Sequence, residues 1–213
     1  MLGDFCRNAM RFVDRLRLSR FSSEVDAYVA PVLSDNELGD LQSLIAVEIP
    51  KPICEFLLSE SAGVCIRYEV RIPFEPSADA VGLLGTEYAA RISIRHYYGG
   101  PTICNSCLFR GWNCFESKID DDYGETCFVF ASMLNGDYLG LASTGGVSYW
   151  DHEINSWTPI SPSFSEFLEE WKKVFFLGPE LNMIKQCLNS DTGMLDASVL
   201  DRCDQIKPFL DLL

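Results

Sequence analysis

Residues 133–180 constrain the fold more than any other part of this chain. They read MLNGDYLGLASTGGVSYWDHEINSWTPISPSFSEFLEEWKKVFFLGPE. Asn135-Gly136-Asp137 signals a tight turn, and Tyr138 to Ala142 and Val147 to Trp150 are short β-forming runs joined through Thr144-Gly145-Gly146, where glycine adopts positive φ cheaply. The second run ends in Trp-Asp-His-Glu, a short connector follows, and an amphipathic helix begins at Ser161 or Ser163. Pro162 favours the first start, and Ser163 with Glu166 forms a capping box for the second. Phe164, Phe167, Leu168, Trp171, Val174 and Phe175 give that helix a wide apolar stripe, which Gly178-Pro179 ends. A strand pair followed by a helix of this kind is built to hold a small sheet against a helix.

The preceding residues supply more of the same. Cys127 to Leu134 is short and strongly apolar, as a central strand requires. Val64 to Ile72 and Tyr88 to Tyr98 read as strands, residues 74–86 as a loop, and Gly99-Gly100-Pro101 as a turn. Upstream, Ser34-Asp35-Asn36-Glu37 is a capping box that predicts a helix over 35–45, with Leu38, Leu41, Leu44 and Ile45 facing inward. Pro52 suits the first turn of a second helix through Ile53, Phe56 and Leu57, with Gly63 at its exit. Phe5, Ala9, Val13 and Leu16 share one face of an N-terminal helix that docks on the body. The tail has helical spacing at Leu181, Ile184, Lys185 and Leu188, and again at Val199, Cys203, Ile206 and Leu210. The expected fold is α+β, a mostly antiparallel sheet flanked by helices. A central domain over 34–180 lies between an amphipathic helical extension (1–33) and a helical tail (181–213).

These segments resemble the SUKH superfamily, which includes the yeast cell-wall assembly regulator and many bacterial immunity proteins. Glu37-Leu38 through Ile49-Pro50 and Phe56-Leu57 are similar to its opening helices and intervening proline. Gly136-Asp137-Tyr138-Leu139-Gly140-Leu141 is similar to its strand turn, and Tyr149 to Glu153 to its Tyr-Trp-Asp-His-Glu strand end. Ser163, Phe164, Phe167, Leu168 and Trp171 are similar to its closing helix. The resemblance implies an α+β binding domain without enzymatic activity, in bacteria mostly an antidote that binds and blocks a toxin domain, often a nuclease. The family's shared residues are structural, so it implies no catalytic set.

Charge narrows the choice of partner. The first 20 residues hold five arginines against Asp4 and Asp14, a local +3, so a chain of net charge −14 carries −17 on the remaining 193 residues. Such a body repels nucleic-acid phosphates and anionic headgroups and attracts basic proteins. Neither nucleic acid, nor a membrane, nor a small-molecule substrate is expected as partner. Asp120, Asp121, Asp122 and Glu125, extended by Asp151 and Glu153, are the expected docking patch for a basic protein such as a toxin domain. The bland alternative is a solvated acidic surface that maintains solubility.

Chemistry finds little support. The two histidines, His96 and His152, sit near no GxSxG elbow or reactive-cysteine context, although Asp151 and Glu153 would raise the pKa of His152 if close in space. Cys104-x-x-Cys107 with Cys114 and His96 holds four soft ligands, but one CxxC without a second well-spaced pair points to free thiols. The Asp120–Asp122 run lacks the alternation and glycine of a calcium loop. No metal, cofactor or enzymatic activity is expected. Nine cysteines, an odd number and several within apolar runs such as those of Cys54 and Cys127, read as reduced in a cytoplasmic protein. The other reading from a different functional class is a regulatory or scaffold module with an endogenous partner.

Overall fold

Hydrophobic alternation and glycine turns between residues 126 and 161 produce four antiparallel strands in sequence, and the rest of the sheet grows from them. The structure is a computed structural model. It describes residues 4–19, 22–45, 47–70, 102–103, 118–120, 126–132, 137–169, 188–196 and 198. The elements run α1 (Asp4–Leu18), β1 (Ser22–Val29), α2 (Asp35–Leu44), α3 (Lys51–Ser59), β2 (Val64–Val70), β3 (Thr102–Ile103), β4 (Lys118–Asp120), β5 (Thr126–Ser132), β6 (Tyr138–Ala142), β7 (Val147–Asp151) and β8 (Ser156–Ser161). A final helix, α4, is described over 164–169. The sheet order is β1-β2-β3-β5-β6-β7-β8, with β4 pairing β5 beyond the end of β3, and every pairing is antiparallel. The expected α+β class, an antiparallel sheet with flanking helices, is what the chain adopts.

The helices start where their caps place them. The Ser34 hydroxyl accepts from the Glu37 amide while the Glu37 carboxylate accepts from the Ser34 amide, so both halves of the capping box form. Of the α2 residues expected inward, Leu41 and Ile45 are buried and Leu38 is half-buried, but Leu44 is 70% exposed. The helix ends at Leu44, and a C-cap at Ile45 in extended conformation turns the chain so that Ile45 takes the inward place. In α3, Pro52 lies in the first turn and Ile53, Phe56 and Leu57 are buried. The helix stops at Ser59, before the expected Gly63 exit. Ser61 then bridges the junction: its hydroxyl lies 2.7 and 2.8 Å from the carbonyls of Ala30 and Gly63 and accepts from the Gly63 amide at 3.0 Å. Between the two possible starts of α4, Ser163 is the cap: the Glu166 amide donates to its hydroxyl at 3.2 Å.

Two strands depart from expectation. The 1–33 segment is more than a helix, because β1 pairs with β2 over the register from Ser22↔Val70 to Val29↔Val64 and forms one border of the sheet. The connector after Glu153 contains β8, the other border, where Pro159 is tolerated because, among the described strands, β8 pairs with β7 on one side alone. In the tail, Leu188 and Leu195 form an antiparallel bridge across a turn with Gly193 at φ +70°, so the helical spacing expected to include Leu188 gives way to a turn there. The Leu195 amide donates to the Ile160 carbonyl at 2.9 Å and tethers this turn to β8. The strand expected at Tyr88–Tyr98, the 74–86 loop, the far half of the 164–175 helix and the tail beyond Ser198 lie outside the described residues.

The core has two aromatic centres. Phe5 of α1, Phe56 of α3, Phe164 and Phe167 of α4 and Phe130 of β5 form a chain of ring contacts with centroids 5.1 to 6.4 Å apart. Four of the five contacts are edge-to-face, the arrangement the ring quadrupole favours. Around them Cys6, Ala9, Phe12 and Val13 bury the inner face of α1, including the expected Phe5, Ala9 and Val13. The second centre joins Cys127, Trp150 and Trp157, with Val129, Tyr138 and Ala142 packed against it. Trp150 and Trp157 are register partners with ring centroids 5.1 Å apart. Gly140 admits them: a Cβ there would fall 2.6 Å from both the Cys127 Cβ and the Trp157 ring.

Candidate functional site: the turn after β7

β7 ends at Asp151, and residues 152–155 turn the chain into β8. Directly beneath, the paired Trp150 and Trp157 close the stem of the hairpin. Asn155 adopts φ 48°, the left-handed conformation that asparagine tolerates better than most residues. Inside the turn the Glu153 amide donates to Asp151 Oδ1 at 2.9 Å.

The turn is also tied from the neighbouring strand. Asp137, immediately before β6, is 3% exposed. A carboxylate removed from water this far is costly unless its oxygens are satisfied. The Tyr149 hydroxyl donates to its Oδ2, and the His152 amide donates to its Oδ1 at 3.0 Å. His152 Nδ1 lies 2.5 Å from the same Oδ1. An ionised carboxylate only accepts, so Nδ1 carries the hydrogen and donates. The imidazole side chain is about half exposed, and its pKa is raised, first by this hydrogen bond to Asp137 and then, among the charges, by Asp137, Glu153 and Asp151. The sequence neighbours expected to shift His152 do so, but the leading partner comes from fifteen positions away through the β6–β7 register.

Asp137, Asp151 and His152 each offer one ligand atom, and these atoms lie within 4.8 Å of one another. As they stand, Nδ1 and Oδ1 are joined by a hydrogen bond. Two ligands on a tetrahedral zinc stand about 3.4 Å apart, and the 2.5 Å between Nδ1 and Oδ1 is a hydrogen-bond distance. The thiols that are described offer no nucleophile. Burial, with the nearby Glu60, pushes Cys6 up to about 12, and burial raises Cys54. Cys6 and Cys127 are buried, and Cys54 is half-buried.

Of the six acidic residues expected to form one patch, the described Asp120, Asp151 and Glu153 stand at two places. Asp151 and Glu153 share the β7–β8 turn, with Asp151 half-buried and Glu153 exposed. Asp120 ends β4 opposite Thr126, and the register runs Thr126 with the Ala142 and Val147 end of the sheet, away from Asp151. Ser132 lies six positions along β5 from Thr126 and pairs with Tyr138 at the Asp151 end. That is roughly 20 Å along the strand direction. Asp121, Asp122, Glu125, His96, Cys104, Cys107 and Cys114 lie outside the described residues. Sequence reasoning missed Asp137 and Tyr149 as site residues, and Ile154, which stands at the turn 54% exposed. The signal for Asp137 was its place in Gly136-Asp137-Tyr138, read as turn chemistry alone.

Residues 33–170 match the SMI1 / KNR4 family (SUKH-1), which is more than half of the chain, and the chain belongs to that family. No curated protein and no solved structure matches it. Among the described residues, no helix is long and apolar enough to cross a membrane.

Proposed function

We propose that this member of the SMI1 / KNR4 family (SUKH-1) is a cytoplasmic, non-enzymatic immunity protein that neutralises a toxin domain, a nuclease, by direct stoichiometric binding. Family membership supports a role in protein–protein interaction, of the immunity or SMI1/KNR4 type. The observation that carries the toxin reading is charge: −17 on the body of the chain, with carboxylates at the β7–β8 turn and at the end of β4. A nuclease active site attracts phosphates and is therefore positive. An acidic antidote gains fast association and blocks the substrate site in the same step. Asp151 and Glu153 form one contact region, and Asp120, Asp121, Asp122 and Glu125 a second.

The test is affinity capture with the tagged full-length chain, from lysates of its own cells and of toxin-delivering siblings, at low and moderate salt. The expected result is one basic protein that degrades nucleic acid and is silenced by one equivalent of this chain. Capture of a housekeeping protein whose activity the chain leaves unchanged would overturn the reading in favour of a regulatory scaffold.

A further inference from the structure

Asp137 is a buried carboxylate, and His152, the first residue of the β7–β8 turn, donates to it twice, through its amide and through Nδ1. The cost of burying that charge is therefore offset by bonds whose geometric effect is to hold the turn on its stem. The bond within the turn from the Glu153 amide to Asp151, the left-handed Asn155 and the Trp150–Trp157 pair below all restrict the same five residues. Yet the turn presents Ile154 to water. The other strongly exposed aliphatic side chains among the described residues, Leu18 and Leu44, stand at helix ends, where fraying costs little. Ile154 is an aliphatic side chain on a braced support, flanked by Asp151 and Glu153, while the ring of His152 is turned to Asp137.

We infer that residues 151–155 form a preorganised docking tip that inserts Ile154 into an apolar pocket of a basic protein, with Asp151 and Glu153 meeting lysine or arginine at its rim. Asp137 is a positioning residue for this tip. Preorganisation lowers the ordering cost of association, a desolvated aliphatic anchor supplies affinity, and rim carboxylates set the rate of encounter. The inference rests on the binding-protein reading above and names the part of the surface that does the binding.

The test places benzoylphenylalanine at position 154 of the full-length chain and, separately, at position 36, exposed in the first turn of α2. The partner identified by cross-linking is then purified and titrated with variants. Cross-linking from 154 but not 36 is expected, with about tenfold weaker binding for Ile154→Ala, a change of about 1.4 kcal/mol. Because Ile154 is exposed, that variant keeps the fold, which amide exchange checks. Asp137→Asn should weaken binding and speed amide exchange at His152 together, at temperatures where the core amides stay protected. A stoichiometric partner that binds Ile154→Ala as well as wild type overturns the docking tip and leaves the binding-protein reading standing. If the unmodified chain captures no partner, the binding-protein reading falls and the tip with it.

Discussion

At Asp137, three hydrogen bonds converge on one buried carboxylate, so removal of its charge and removal of one donor have different consequences. Tyr149→Phe leaves Oδ2 without its hydroxyl and should cost about 1–2 kcal/mol, read as a lower urea midpoint with unchanged slope. His152 responds to pH. Its folded pKa is raised above that of a free imidazole, about 6.5, so the stability it adds is fully present below that value and is lost as pH rises through the raised one. The groups facing it are Asp137, Asp151 and Glu153. Wild type should therefore exceed His152→Gln in urea midpoint by more at pH 5.5 than at pH 8.5; an equal gap at both would show that the imidazole charge contributes nothing. Gly140→Ala should destabilise by about 1–3 kcal/mol, because the new methyl meets Cys127 and the Trp157 ring rather than a flexible chain end. Some of this residue chemistry was legible in the sequence. Asp151 and Glu153 advertise a perturbed His152, but its dominant partner is adjacent only once β6 and β7 are in register.

At the scale of elements, the local signals that succeeded are those whose chemistry closes within a few residues. Ser34 with Glu37, Ser163 with Glu166 and the Gly145 turn at φ +91° all form as their spacing implies. Ser163→Ala should lower stability by about 1 kcal/mol, measured by thermal or urea unfolding, because α4 then starts with an unsatisfied amide. The elements that escaped are those whose identity depends on position in the sheet. β8 carries Pro159, which counts against a strand except at an edge, and its edge location follows only from the topology. β1 alternates charged Glu24 and Asp26 with apolar Val25, Ala27 and Val29, yet it is short and follows a helix, so its pairing partner some forty residues later was not visible locally. Leu44 fits the α2 periodicity but falls at the last residue before the chain turns to bury Ile45. Because β1 pairs along the whole of β2 and α1 places Phe5 on Phe56, deletion of residues 1–33 should expose the β2 edge and the aromatic chain. The expected outcome is a shortened chain that self-associates in sedimentation velocity where the full chain does not.

For the whole molecule, the sheet separates Asp120 at the end of β4 from Asp151 at the end of β7 by roughly 20 Å along its strands, about two Debye lengths at 0.1 M salt. Charge changes at the two ends should then act on association independently. Reversal at Asp120–Asp122 is expected to slow association with the captured partner and flatten its salt dependence, measured by stopped-flow across ionic strengths; unchanged kinetics would remove that end from the interface. The architecture itself places few demands on the turn at the other end. Below residues 151–155 the Trp150–Trp157 pair closes the stem, and the tether from Asp137, just before β6, holds His152. Positions 153 and 154 can consequently vary in length of side chain and in charge while the stem and its register persist. The hairpin behaves as a fixed socket with an interchangeable bit, so a lineage of such proteins can change what it recognises by rewriting two or three codons and leave its folding untouched.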